Sequence, residues 1–136
     1  MLKNSKKYLE SLKKFEEVIQ LKREAYGERT ETTLRTSSEA AIVCNILSMS
    51  FLQKGKLLKP TKPYHSENYA VALELLKKAE AYTDEGDRYR AVTYNNFACV
   101  FRRTKKLRSA LAFLEKALEI EYNYLHFSAQ AVDDCL

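Results

Sequence analysis

Residues 91–121, AVTYNNFACVFRRTKKLRSALAFLEKALEIE, contain two apolar-polar periodic stretches joined by a short basic turn. The apolar residues recur at three- and four-residue intervals, which places them on one face of each of two α-helices. Small residues at Ala98, Ala110 and Ala117 allow the two helices to approach closely. The larger residues predicted to fill the remaining space are Tyr94, Phe97, Phe101 and Leu114. The segment therefore predicts an antiparallel helical hairpin.

An earlier part of the chain follows the same order of small and large residues. Its first helix is predicted to contain Cys44, Leu47, Ser48 and Phe51, and its second helix Tyr69, Ala72, Leu76 and Ala79. Between these helices lies an insertion over residues 56–67, in which Pro60 and Pro63 predict a loop. The first helix is predicted to end near Lys54 and Gly55.

The pattern in residues 91–121 resembles a tetratricopeptide repeat (TPR). The W-x2-L-G-x2-Y core of that family appears as Tyr94, Phe97, Ala98 and Phe101, and its A-x3-F appears as Ala110 and Leu114, followed by Ala117. The closing proline of the family is replaced by Tyr122. Residues 21–55 further resemble the extended repeats of the kinesin-light-chain type. The resemblance implies an all-α fold, a TPR-like α-solenoid of antiparallel helix pairs; an unrelated helical bundle is the alternative.

We predict one TPR-like domain over residues 1–136, forming a fragment of a longer array. The expected parts are an orphan second helix (1–27), a repeat with the insertion 56–67 (30–86), a second repeat (87–126) and the start of a further helix (128–136). The boundaries rest on local signals. Gly27 and Gly86-Asp87 are expected to separate helices, and Ser66 and Ser128 to cap the beginnings of helices.

Composition and motifs exclude several classes of function. Apolar residues make up 46% and charged residues 30% of the chain, which argues against disorder. No stretch resembles a membrane span or a secretory signal. The three cysteines are not spaced as a disulfide framework, so we expect a cytoplasmic location. No catalytic, phosphate-binding or metal-ligand motif occurs, so we expect no enzyme, no cofactor and no metal.

The resemblance also implies a binding groove lined by the first helix of each repeat. The residues expected to face it are Ile42, Asn45, Met49, Leu52, Val92, Asn95, Cys99 and Arg102. Asn45 and Asn95 fall at equivalent positions and could bond to a peptide backbone.

Basic residues cluster in the two turns within the repeats, and no acidic residue interrupts either cluster. They are Lys54, Lys56, Lys59, Lys62, Arg102, Arg103, Lys105, Lys106 and Arg108. Stacked repeats would place equivalent turns along one basic edge. That edge would suit an acidic surface, such as a tubulin tail or an acidic protein, in preference to RNA. A helical-repeat RNA binder of the pentatricopeptide kind is disfavoured, because Ile42, Met49 and Val92 are apolar where such repeats present polar side chains.

These features predict a non-catalytic scaffold or adaptor that binds a partner peptide or helix through a TPR groove and a basic edge, within a multi-protein complex. Two alternatives stay open. One is a permanent structural subunit of a cytoskeletal or ciliary (axonemal) assembly, which would place the protein there. The other is a regulatory TPR segment of a larger enzyme.

Overall fold

The structure is a computed structural model that describes residues 2–57 and 64–135, and the side chains of residues 6–53 and 68–126. Its elements are α1 (Leu2–Tyr26), α2 (Glu31–Leu57), α3 (Tyr64–Ala81), α4 (Tyr89–Arg103) and α5 (Leu107–Cys135). No strand occurs among the described residues. The all-α fold class is therefore confirmed.

The chain divides into two compact units, Met1–Thr83 and Asp84–Leu136. In the first unit α2 packs against both α1 and α3, so α1 lies against a hairpin without a hairpin partner of its own. In the second unit α4 packs against α5. The division lies close to the predicted border between the two repeats.

Small residues line the contact between α2 and α3. The Ser48 hydroxyl donates a hydrogen bond to the Ala72 carbonyl oxygen at 3.1 Å, which requires the two helix backbones to be close. Cys44 and Ala79 are also fully buried. A side chain larger than serine at position 48 would force the helices apart, so these small residues determine the spacing of the pair.

The contact between α4 and α5 combines alanines with an aromatic cluster. Ala98, Ala110 and Ala117 are buried as predicted. The rings of Phe97 and Phe113 stack with their centroids 4.6 Å apart. The prediction that Leu114 fills this contact is wrong: Leu114 is 42% exposed, and the neighbouring Phe113 provides the bulk. The difference arises because residues one position apart on a helix point about 100° apart.

Two predicted boundaries are confirmed by backbone geometry. Gly27 has a φ of 94° and its amide donates to the Arg23 carbonyl, so it ends α1 in the left-handed conformation that glycine tolerates. Asp87 accepts a hydrogen bond on its carboxylate from the Tyr89 amide at 2.9 Å, which supports the beginning of α4.

Three other boundaries differ from the predictions. Helix α2 continues past Gly55 to Leu57, and α3 begins at Tyr64, so Ser66 lies inside its first turn. Helix α5 runs unbroken to Cys135, so Ser128 does not begin a sixth helix. Residues 107–135 contain neither glycine nor proline, and a lone serine does not end a helix. Pro60 and Pro63 lie outside the described residues.

Candidate functional site

One side of α4 is open in the second unit. The four residues predicted to face a groove there, Val92, Asn95, Cys99 and Arg102, follow one another at three- and four-residue spacing and share one side of the helix. Val92 is 40% exposed, Asn95 and Arg102 are exposed, and Cys99 is half-buried. We call these residues the α4 face. It combines two apolar side chains, one amide and one guanidinium.

The corresponding prediction for α2 needs correction at two positions. Ile42 is exposed and Met49 is half-buried, but Asn45 is only 3% exposed and Leu52 is buried as well. The Asn45 amide donates to the Ala41 carbonyl one turn earlier at 3.1 Å. Asn45 therefore cannot reach a peptide in this structure, and the two asparagines are not equivalent.

Ile46 is the residue on α2 that sequence reasoning missed. It is 40% exposed and lies four residues after Ile42 and three before Met49, so helical spacing alone assigns it to the exposed side. The resemblance assigned Asn45 rather than Ile46 to this side of the helix. The exposed side of α2 is thus more apolar than predicted.

A concentrated basic surface lies where α4 ends and α5 begins. We call it the basic turn; it comprises Arg102, Arg103, Lys105, Lys106 and Arg108. All of these are exposed except Arg103, which is half-buried. The side chains of Lys54, Lys56, Lys59 and Lys62 lie outside the described residues, so the common basic edge stays a prediction.

The backbone of the basic turn is tightly folded. The Lys106 amide donates to the Phe101 carbonyl at 2.8 Å and the Lys105 amide donates to the Arg102 carbonyl at 3.2 Å. Lys105 adopts a φ of 62°, a position that helix ends usually give to glycine. The turn consequently places its cations close to the C-terminal end of the α4 face. The two surfaces share Arg102, where one ends and the other begins.

Helix α5 carries an exposed row of large apolar residues, of which only Leu114 was predicted to pack between the helices. We call it the α5 stripe: Leu107, Leu111, Leu114, Leu118, Tyr122 and Leu125. Every member is at least 42% exposed. The buried residues Ala110 and Ala117, which pack within the second unit, occupy a different side of the helix.

The titratable groups of the first unit do not resemble a reactive centre. Burial raises the pKa of the Cys44 thiol to about 12, an effect that the charge of Lys78 opposes. Burial, together with the nearby Glu16 carboxylate, raises the pKa of Tyr82 to about 12 as well. Glu16 itself forms an ion pair with Lys78 at 3.0 Å. Cys44 is therefore a protonated, enclosed thiol rather than a nucleophile.

The described part of the chain contains neither a cluster of metal ligands nor a helix suited to a membrane. No three residues among the described histidines, cysteines and acids are grouped in a way that could hold a metal ion. None of the described helices combines the length and the apolar character needed to span a membrane.

The fold and its open faces define a class: repeated helical hairpins that present surfaces for other molecules. Residues 64–121 match the family model for the tetratricopeptide repeat. This match supports a TPR assignment for that segment, and proteins of the family generally mediate protein–protein interaction and are typically non-catalytic. No curated protein and no solved structure matches the chain. The match does not single out the kinesin-light-chain type, which stays a prediction.

Proposed function

We propose that this chain is a non-catalytic adaptor that binds an acidic peptide or helix along the α4 face and the basic turn. The observation that carries the proposal is the continuity of these two surfaces, which share Arg102. A ligand with apolar residues followed by acidic residues would complement them in that order. The proposed site lies within the second unit and does not require the basic residues 54–62 of the predicted basic edge.

The dimensions of the α4 face suit a short segment. Val92 and Arg102 are ten residues apart in the sequence, which corresponds to about 15 Å along a helix. An extended peptide covers that distance with roughly four or five residues. Val92 and Cys99 would contact its apolar side chains, and the Asn95 amide can donate to and accept from its backbone.

The basic turn would act through its grouped charges rather than through any single ion pair. Its cations are exposed to solvent, where single ion pairs contribute little and salt screens them. Grouped cations nevertheless attract an acidic segment and fix its direction. A tubulin tail is one polypeptide of this chemistry, and we propose partners of that kind within a cytoplasmic complex.

Binding of short fluorescent peptides tests the proposal. One peptide contains glutamate alone, and the second combines leucines with glutamates; both are titrated by fluorescence anisotropy at low and high salt. Charge reversal of Arg102, Lys105 and Lys106 to glutamate is expected to weaken both peptides about tenfold or more. Val92→Glu is expected to weaken the leucine-containing peptide more than the other.

A matched control changes the same number of charges on α1. Lys7, Lys13 and Lys14 are exposed, and their reversal to glutamate is expected to leave both affinities within about twofold, because these residues belong to neither the α4 face nor the basic turn. Equal losses in the two triple variants would show a general charge effect and contradict the proposal. Failure of both peptides to bind the unchanged protein would contradict it as well.

A permanent structural subunit of a cytoskeletal or ciliary assembly is the second candidate. It is supported by large apolar side chains that α1 exposes, namely Leu21 and Tyr26, since such residues are typical of surfaces buried in an assembly. Co-sedimentation with polymerised microtubules in about 0.5 M salt tests it, because an apolar attachment resists screening. Loss of the protein from the pellet at that salt would contradict this candidate.

A further inference from the structure

The α5 stripe is a separate surface that the proposed peptide binding does not use. It extends from Leu107 to Leu125, about 27 Å along the helix, with Leu118 and Tyr122 among its most exposed members. Soluble proteins rarely leave such a continuous apolar row open to water. Something is therefore expected to cover it.

The spacing of the α5 stripe is nearly the same when it is read in either direction from residue 116. Leu114 and Leu118 each lie two positions from residue 116, and Leu107 and Leu125 each lie nine positions from it. Leu111 lies five positions before it and Tyr122 six positions after it. If a second α5 lies antiparallel with the same midpoint, each apolar residue meets another. The resulting pairs are Leu114 with Leu118, Leu111 with Tyr122, and Leu107 with Leu125.

The charges of the second unit favour the same orientation. The basic turn lies at the beginning of α5, and Lys116 is the only lysine or arginine among residues 109–135. The acidic residues of α5 all follow the basic turn: Glu115, Glu119, Glu121, Asp133 and Asp134. An antiparallel pair centred on residue 116 places Arg108 opposite residue 124, within one helical turn of the partner's Glu121, whereas a parallel pair would place Arg108 beside Arg108.

We propose that a second copy of this chain covers the α5 stripe as an antiparallel pair related by a two-fold axis near residue 116. A two-fold interface requires one surface patch to be complementary to itself. The mirrored apolar spacing and the opposite charges of the two ends of α5 both meet that requirement. The pair leaves the α4 face outside the apolar seam, so the apolar part of the proposed peptide site stays accessible in the dimer.

Sedimentation velocity over a range of protein concentrations tests the pairing. The unchanged chain is expected to reach twice its monomer mass of 15.8 kDa. Leu114→Glu places a carboxylate beside the proposed axis and is expected to raise the dissociation constant at least tenfold. Because Leu114 is already part-exposed, this variant should fold, which circular dichroism verifies. Leu9→Glu, an equally polar change at a leucine of similar exposure on α1, is the matched control and should dimerise normally.

Disulfide formation between single-cysteine variants tests the direction of the pair. With the native cysteines replaced by alanine, Leu107→Cys mixed with Leu125→Cys is expected to give a mixed disulfide on oxidation. Neither variant alone is expected to link to itself, since residue 107 of one helix lies far from residue 107 of the other. Self-linkage of Leu107→Cys would show a parallel pair and overturn the proposal.

Two results of the sedimentation experiment would overturn the proposed dimer. A chain that stays at the monomer mass up to about 100 μM, above the range of a stable dimer, would overturn the proposal and leave the α5 stripe to a different protein. A dimer that persists in Leu114→Glu would overturn it too, because another surface would then hold the copies together. Peptide binding is measured separately, so failure of the dimer does not imply failure of the adaptor function.

Discussion

Leu76 and Leu114 occupy the same place in the repeat pattern but lie in opposite environments. Leu76 follows Ala72 and precedes Ala79, as Leu114 follows Ala110 and precedes Ala117. Yet Leu76 is fully buried, whereas Leu114 is 42% exposed. The repeat offset therefore does not determine burial. It determines the side of the helix on which a side chain lies. Burial depends on whether another part of the protein packs against that side.

The two units also fill their helical hairpins differently. Between α2 and α3, the Ser48 hydroxyl bonds directly to the Ala72 carbonyl. Between α4 and α5, the ring of Phe113 stacks on that of Phe97, and its centroid lies 5.4 Å from the centroid of the Phe101 ring. A close approach of backbones and an aromatic cluster are alternative ways to satisfy one pattern. The same sequence rule thus produces two different interiors.

The largest effect is expected when Leu76 and Leu114 are each changed to alanine. Leu76→Ala removes a fully enclosed side chain and leaves a cavity, so the free energy of unfolding should fall by about 2–5 kcal/mol. Leu114→Ala removes a part-exposed side chain and should lower it by less than about 1 kcal/mol. Urea titration measures both values. Equal losses in the two variants would show that the two leucines share one environment.

A smaller difference in the free energy of unfolding is expected when Asn45 and Asn95 are each changed to alanine. Asn45→Ala removes a buried amide and its bond to the Ala41 carbonyl, which should lower the free energy of unfolding by about 1–2 kcal/mol. Asn95→Ala should change stability by less than about 0.5 kcal/mol but weaken the leucine-containing peptide. Denaturation and anisotropy separate the two effects. A stability loss for Asn95→Ala as large as that for Asn45→Ala would contradict this assignment.

Substitutions at Gly27 and Lys105 are expected to change the stability of the protein in opposite directions. Gly27→Ala should destabilise the protein by about 1 kcal/mol, because alanine does not favour a positive φ. A Cβ at Gly27 would meet no atom within 4 Å, so the loss would be conformational rather than steric. Lys105→Gly should stabilise it by about 0.5–1 kcal/mol. Melting temperatures report both signs, and a loss of stability in Lys105→Gly would contradict the account of the turn.

Alkaline pH is expected to reveal the burial of Cys44. Its pKa rises from an ordinary 9.0 to about 12 in the folded protein, so the unfolded thiol ionises first as the pH increases. The unfolded state then binds fewer protons than the folded state, and the free energy of unfolding falls as the pH rises from about 9 towards 12. Cys44→Ala should show a shallower fall over this range. An unchanged slope in that variant would contradict the burial.

Much of the fold follows from short-range signals that the sequence states directly. Helical spacing predicts where the helices lie, and Gly27 and Asp87 predict two of the boundaries, because those signals act through the local backbone. Small residues at Ser48 and Ala98 predict helix contacts, since only such residues permit close packing. These features need no knowledge of distant parts of the chain.

The remaining features depend on what each residue meets in three dimensions. Apolar spacing in α5 shows that Leu114 and Leu118 share a side, but not whether another element covers it. Asn45 is polar, yet it satisfies its amide on its own helix and becomes buried. Ser128 resembles a cap, but a cap forms only where the helix is otherwise interrupted. Such outcomes are decided by tertiary packing rather than by local pattern.

The reactivity of cysteines placed at positions 76 and 114 tests most directly whether equivalent repeat positions lie in opposite environments. Leu76→Cys and Leu114→Cys are made with the native cysteines replaced by alanine and treated with a thiol reagent, below the concentration at which the chain self-associates. Cys at position 114 should react on the order of 100-fold faster or more, because a buried thiol reacts only when the structure opens. Similar rates at the two positions would contradict the account.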